Sequence, residues 1–161
     1  MRMNTSMRKL LDSTSISLQR ALAEAATERL PGLVTVEGCV LLADEAQGRH
    51  SVSVSDFPDR TGFECFINHF HVPYDGTPAG LQKLIVRIAG IQRALNEYAP
   101  DRNFLIPVSI AKGECTIRFH ECHPGETWLA DNLEGYTEEA VAAMGVGRAA
   151  DCKATRPSHT P

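Results

Sequence analysis

Histidines in two apolar stretches are the residues of this sequence with the clearest capacity for chemistry. His69 and His71 are one residue apart in FECFINHFHV, and His120 and Cys122 are one residue apart in CTIRFHEC. Side chains two positions apart on a β-strand share a face of the sheet. If the two strands present the same face, a His/His/His or His/His/Cys cluster suited to zinc, copper or non-haem iron would form.

A second interpretation of these residues is structural. Asn68, His69, His71, Arg118 and His120 would then form a polar, hydrogen-bonded face of an amphipathic sheet. Arg118 is a cation unsuited to a metal shell, so the polar network is favoured, and neither a metal ligand nor another cofactor is assigned. A catalytic histidine is the third possibility. No nucleophile elbow or phosphate loop accompanies the histidines, so no catalytic residue is assigned and a protein without enzymatic activity is expected.

Hydrophobic periodicity predicts the elements that would position these side chains. The sequence favours an amphipathic helix over 17–30, a hairpin of strands 33–43 and 51–55, and a strand over 63–72. Thr77-Pro78 then begins a long helix that ends near Pro100. A second hairpin follows, with a two-residue turn at Lys112-Gly113 and a proline that predicts an edge or bulged strand. Its strands are 104–110 and 115–122, its pairs are Ile110 with Cys115, Val108 with Ile117 and Ile106 with Phe119, and the proline is Pro107.

The expected fold is a single α+β domain of residues 1–144. Thr137 is the predicted N-cap of a short C-terminal helix, and residues 145–161 are predicted to form a disordered tail. The element order is then α-β-β-β-α-β-β-α, with a mainly antiparallel sheet of about five strands. Three cysteines among strand-like residues are expected to be reduced core residues. They are Cys39, Cys65 and Cys115.

Composition limits the classes of partner. The net charge of −4 and the pI near 5.8 disfavour a nucleic-acid-binding surface, and no stretch reaches transmembrane length. A cytoplasmic protein with a basic protein partner is therefore expected. The segment after the second hairpin is acidic and aromatic, which is typical of a partner-binding surface, although a solvated acidic face is the plain alternative. Its candidate contacts are Glu126, Trp128, Asp131, Glu134, Tyr136, Glu138 and Glu139.

Three stretches of the chain together resemble a known family. ECFINHFHV, CTIRFHECH and ETWLADNLEGYTEEA are similar to the N-H-x-H strand, R-F-H strand and W-x-x-D-x-L-x-x-Y motif of small bacterial immunity proteins. These proteins act in contact-dependent growth inhibition and related polymorphic toxin systems. The match covers Glu64 to Val141. The resemblance implies a cytoplasmic protein that binds a cognate toxin domain, often a nuclease, and blocks it without performing chemistry.

Overall fold

In the part of the chain that the structure describes, eight strands and five α-helices form a mixed α+β fold. The computed structural model describes residues 1–14, 18–27, 31–48 and 51–147. The strands are β1 (Arg2–Met3), β2 (Leu33–Val36), β3 (Cys39–Leu42), β4 (His69–Pro73), β5 (Phe104–Ala111), β6 (Glu114–Arg118), β7 (His120–Glu121) and β8 (Ala140–Val146). The helices are α1 (Thr5–Asp12), α2 (Leu18–Thr27), α3 (Ala43–Gly48), α4 (Arg60–Ile67) and α5 (Pro78–Tyr98). Two 3₁₀ turns cover Val54–Asp56 and Leu133–Gly135.

The larger sheet has six strands, all in antiparallel pairs. Its order is β1-β8-β5-β6-β4, with β7 also paired to β5, while β2 and β3 form a separate hairpin. One face of the large sheet packs against α5 and α1 and forms the main core. Alternate residues of β5 point into it, including Ile106 and Val108, which are almost fully buried. The opposite face is therefore available for polar side chains.

The β2–β3 hairpin joins the two parts of the core. Glu37 and Gly38 both have positive φ, as a two-residue hairpin turn requires. All four residues of β3 are buried: Val40 and Leu42 belong to the main core, and the alternate residues pack against α4 in a second cluster. The single strand predicted over 33–43 is therefore divided by the turn at Glu37 and Gly38 into β2 and β3.

The α+β fold class and the antiparallel sheet are confirmed, as is the long helix. Thr77 accepts a hydrogen bond from the Gly80 N–H and Pro78 follows it, as expected for the start of α5. The second hairpin has the predicted turn and the predicted pairs Val108–Ile117 and Ile110–Cys115. Its first strand, however, is not an edge strand, because β5 lies between β8 and β6. Cys39, Cys65 and Cys115 are free and buried, as expected.

Three predicted elements are wrong. Residues 60–67 form helix α4 rather than the start of a strand, because Asp59 caps the helix by accepting from the Gly62 N–H. Residues 51–55 form no strand, since the partner of β3 is β2. The predicted helix after Thr137 is replaced by β8, which pairs with β5 over seven positions.

The remaining expectations concern the chain ends. The structure adds helix α1, capped by Asn4, which the sequence reading missed. The predicted tail lies outside the described residues from 148 onwards, and Gly145 and Val146 complete β8. No helix in the described part of the chain is both long and apolar enough to cross a membrane.

Candidate functional site

The two histidines that open the sequence argument lie together on the outer face of the sheet. Strand β4 pairs directly with β6, so His69 is opposite Arg118 and His71 is opposite Thr116. The two imidazole rings are edge to face with centroids 5.1 Å apart. His69 Nδ1 lies 2.7 Å from the Phe66 carbonyl oxygen, and His71 Nδ1 contacts a Glu114 carboxylate oxygen at 2.5 Å. Each imidazole therefore already has a hydrogen-bond partner.

The other predicted members of the polar network are placed separately. His120 is almost completely buried, and its Nδ1 lies 2.8 Å from the carbonyl oxygen of Glu121. Among the described residues, His69, His71 and His120 do not bring their ligand atoms within 4.8 Å of one another. The metal cluster considered from their spacing is therefore not assembled, and the five residues do not form one continuous network.

Asn68 performs the structural role predicted for the polar network. This residue is the C-cap of α4 and is fully buried. Its side-chain oxygen accepts from the Leu42 N–H at 2.8 Å, while its amide donates to the carbonyls of Val40 (2.8 Å) and Phe119 (3.2 Å). Its backbone carbonyl also accepts from the Phe119 N–H at 3.2 Å. Asn68 thus connects the β2–β3 hairpin to the large sheet.

A buried carboxylate lies one helical turn before Asn68. Glu64 has no exposed surface, although it stands in an otherwise apolar stretch of α4. One carboxylate oxygen accepts from the Val40 N–H at 3.3 Å, and the other accepts from the Glu121 N–H at 2.9 Å and from His123 Nε2 at 3.0 Å. A buried carboxylate is stable only when such donors compensate the loss of water.

Glu121 and His123 complete a compact group of ionisable side chains with Glu64. One ligand atom from each of the three residues lies within 4.8 Å of the other two. Arg102 donates to the Glu121 carboxylate at 2.9 Å and to the Gly38 carbonyl at 2.9 Å. The hydrogen bond from His123 to Glu64 raises the His123 pKa, against the opposing effect of burial.

His120 lies beside this group, next to Glu121 in the chain. Its Nδ1–H donates to the Glu121 carbonyl, which leaves Nε2 as the lone-pair nitrogen of the neutral ring. That buried Nε2 has no hydrogen-bond partner among the described residues. Burial lowers the His120 pKa, which favours the neutral form. We call Glu64, His120, Glu121 and His123 the buried cluster.

A groove on the outer face of the sheet brings the second set of predicted residues together. The Arg118 guanidinium lies over the Trp128 ring, 5.5 Å from its centroid. The groove has a volume of about 190 Å³, with β5 and β8 as its floor and the segment that contains Trp128 as its wall. We call it the Trp128 groove, and its residues are Pro107, Val108, Ser109, Arg118, Trp128, Leu129, Tyr136, Glu139 and Val141.

The acidic residues predicted as partner contacts divide into two groups. Glu126 and Glu134 are engaged within the fold: Glu126 accepts from the Thr61 N–H at the start of α4, and Glu134 accepts from Thr5 and Arg8. Asp131 and Glu138 have exposed side chains, and Glu139 lines the Trp128 groove. Trp128 is 40% exposed. The outward-facing acids are therefore fewer than the sequence predicted, and among them Glu139 lines the same groove as the exposed Trp128 ring.

Sequence reasoning missed Glu64 and Arg102 and gave His123 little weight. Two features of the sequence indicate that residues 60–67 are helical. Asp59 is a typical N-cap residue, and the apolar residues Phe63 and Ile67 are four positions apart. A helix would have placed Glu64 on the same side as Asn68. No spacing in the sequence predicts that Glu64 meets His123, because fifty-nine positions separate them.

Comparison with known proteins gives the family of the chain. No curated protein and no solved structure matches it. A family model does match, over residues 2–153, which include every residue of the buried cluster and of the Trp128 groove. The chain therefore belongs to the family described as the Uncharacterized protein PM0498 family.

Proposed function

We propose that this chain is a cytoplasmic immunity protein that binds and neutralises a cognate bacterial toxin domain, such as a nuclease. The observation that carries the proposal is the Trp128 groove. It combines an exposed aromatic ring, a concave floor and nearby carboxylates, which are typical of an anchoring contact within a protein interface. The resemblance to immunity proteins covers the same segment.

Charge supports a basic partner. Six acidic residues and no lysine or arginine occur between Glu121 and Glu139, and the whole chain has a net charge of −4. Asp131, Glu138 and Glu139 would attract a basic surface during encounter, and the ring of Trp128 would then be covered in the bound state. Nuclease active sites are suitable partners because they bind a polyanion and present basic residues.

The Arg118–Trp128 contact supports the choice of anchor. A guanidinium stacked on an indole restricts the orientation of the ring before a partner arrives. Arg118 is in turn held in strand β6, opposite His69 on β4. A pre-oriented side chain loses less conformational entropy on binding, so Trp128 should contribute more to affinity than a freely rotating aromatic side chain.

The first test is rescue from toxicity. A toxin domain encoded next to the gene for this chain is expressed in a sensitive host with or without the chain, and we expect growth only when the chain is present. Loss of rescue by Trp128→Ala, with rescue retained by Phe66→Ala, would assign the function to the groove. The two side chains are matched, since each is 40% exposed. Growth arrest despite a folded, expressed wild-type chain would overturn the proposal.

The second test measures association with the purified toxin domain at low and high salt. Neutralising three acids near the groove should slow association several-fold at low salt, with little effect at high salt. A control protein with the same change in net charge, but on other exposed acids, should associate nearly as fast as the wild type. The test set is Asp131→Asn, Glu138→Gln and Glu139→Gln, and the control set is Asp12→Asn, Asp44→Asn and Asp101→Asn. Equal rates for the two sets would contradict the proposed surface.

A further inference from the structure

We infer that the buried cluster is a binding site for a divalent transition-metal ion, held by Glu64, Glu121 and His123. This site is independent of the proposed partner surface and uses none of the residues that line the Trp128 groove. The three side chains come from helix α4, strand β7 and the segment after β7. They are therefore brought together only by the tertiary fold.

The geometry suits a single ion. One ligand atom from each residue lies within 4.8 Å of the other two, so one ion can approach all three at ordinary bond lengths of about 2.0–2.2 Å after small side-chain shifts. Two carboxylates and one imidazole are a ligand set typical of zinc, manganese or iron(II). Glu64 is fully buried and Glu121 partly so, which favours a bound ion over loosely associated solvent cations.

The surrounding groups hold the carboxylates in place. The Val40 N–H donates to Glu64, and Arg102 donates to Glu121 at 2.9 Å. Hydrogen bonds of this kind orient the ligands of metal sites and strengthen them. Arg102 compensates the negative charge of Glu121. Among the described residues, the side chain that forms an ion pair with Glu64 is the imidazole of His123.

The buried Nε2 of His120 is an independent observation that favours a ligand here. This nitrogen has a lone pair and no hydrogen-bond partner among the described residues, although His120 is only 2% exposed. Leaving such a group unpartnered is costly, and a ligand bound beside it, such as a water on the ion, is one way to satisfy it. His120 is not one of the three residues whose ligand atoms lie within 4.8 Å of one another, so it is not assigned as a ligand of the ion.

The test uses the full chain without an affinity tag, stripped of metal and then titrated with Zn²⁺. We expect one zinc ion per chain, with a rise in melting temperature on zinc addition. Glu121→Gln and His123→Gln should each weaken zinc binding by more than about tenfold, since removal even of supporting hydrogen bonds costs 10–100-fold. His69→Gln with His71→Gln is the control, because this exposed pair should leave zinc binding unchanged.

Each alternative outcome has a clear meaning. Zinc that dialyses away from the folded wild type, or that binds Glu121→Gln as tightly, would overturn the assignment. Loss of binding in the His69/His71 control would move the site to the outer face. Co²⁺ substitution gives a measurement that needs no variant: a strong near-ultraviolet thiolate band would show cysteine ligands and overturn the proposal. The expected spectrum has no such band, because the three ligands are oxygen and nitrogen.

Discussion

Replacing Asn68 by alanine should be one of the most destabilising single substitutions in the protein. The change removes the three side-chain hydrogen bonds that connect the β2–β3 hairpin to the large sheet. It leaves the Leu42 N–H and the carbonyls of Val40 and Phe119 without these partners in a region from which water is excluded, since Asn68 itself has no exposed surface.

The magnitude follows from the three lost contacts. Each of the three buried backbone groups left unpaired costs about 1–3 kcal/mol, and a value of about 1.3 kcal/mol for each, near the lower end, gives a total of about 4 kcal/mol. Domains of ordinary stability have about 5–15 kcal/mol in all, so the variant would be close to the unfolding threshold. With an m-value of about 2 kcal/mol per molar urea, the unfolding midpoint should fall by about 2 M.

Urea unfolding followed by circular dichroism measures this shift, and two further variants make it specific. Asn68→Asp retains the acceptor for the Leu42 N–H. Its second carboxylate oxygen, however, faces the carbonyl oxygens of Val40 and Phe119 and repels them, so the variant should be at least as destabilising as alanine at neutral pH. Asn96→Ala, at an exposed position of α5, should change the midpoint very little because alanine favours helix. A loss below about 1 kcal/mol for Asn68→Ala would refute the argument, since it would mean that the three backbone groups find other partners.

Two further predictions concern pH and the N-terminus. The pKa of His123 is raised in the folded protein, so its stabilising contribution is complete below the unfolded pKa of 6.5 and is lost as pH rises through the folded value. The pKa of His120 is lowered, so its contribution is present above 6.5 and is lost as pH falls through the folded value. Urea unfolding of the metal-free protein between pH 5 and 9 tests both assignments. The loss of stability in His123→Gln should be greatest at low pH, and the loss in His120→Gln should be greatest at high pH. If either variant lost the same amount of stability at every pH, its assignment would be contradicted. Asn4→Ala should cost about 3 kcal/mol, because it removes the N-cap of α1, the bonds that Asn4 donates to the carbonyls of Tyr136 and Glu139, and the bond that it accepts from the Val141 N–H. Asn4→Ser keeps the cap, so its loss of stability in the same assay should be intermediate between wild type and Asn4→Ala. If serine cost as much as alanine, the cap would contribute nothing and only the contacts with residues 136–141 would stabilise the protein.

The elements that the sequence predicted well are those whose local pattern and tertiary environment agree. In α5, Leu81, Leu84 and Ile88 recur at helical spacing, and all three are buried against the sheet. In the second hairpin, alternation and the Lys112-Gly113 turn together fix the register, since a shift by one residue would expose the whole apolar face. When the local sequence pattern and the tertiary environment agree in this way, an element can be predicted from a single sequence.

The errors occur where tertiary contacts outweigh local preference. Residues 140–144 are AVAAM, a sequence with good helix propensity, yet they form the strand that lies between β1 and β5. Differences in helix propensity are a few tenths of a kcal/mol per residue, which is small compared with the stabilisation of a strand that is hydrogen-bonded to a neighbour on each side. Residues 63–67 fail for another reason: a short buried helix and a buried strand have the same apolar composition, and periodicity over five residues cannot distinguish them.

The candidate sites were predictable only in part for the same reason. The shared face of His69 and His71 follows from a two-residue period that the sequence contains, whereas the pairing of His69 with Arg118 depends on which strands meet. The contact of Arg118 with Trp128 and the meeting of Glu64 with His123 depend on how separate elements pack. No local pattern contains that information, so those contacts required the structure.

Pro107 lies where the ladder of β5 with β6 and β7 is interrupted. Pairs form at Val108–Ile117 and Leu105–His120 but not at Ile106 or Pro107. Proline has no N–H to donate, so an interruption at this position of a central strand is expected. The backbone of Phe119 faces the other neighbour: its N–H donates to the Asn68 carbonyl and its carbonyl accepts from the Asn68 side chain, which continues the register of β4 with β6.

The contact between Asn68 and Phe119 brings the end of α4 beside β7, which begins at the next residue. Glu64 lies one turn before Asn68 and accepts from the Glu121 N–H, so the helix also satisfies a backbone donor of β7. Replacing Pro107 by valine would restore a donor on the β5 side without adding charge, whereas the bonds between Phe119 and Asn68 lie on the β4 side. Zinc affinity at the buried cluster should therefore be unchanged in this variant, and a fall in affinity would show that the interruption at Pro107 helps to position the site.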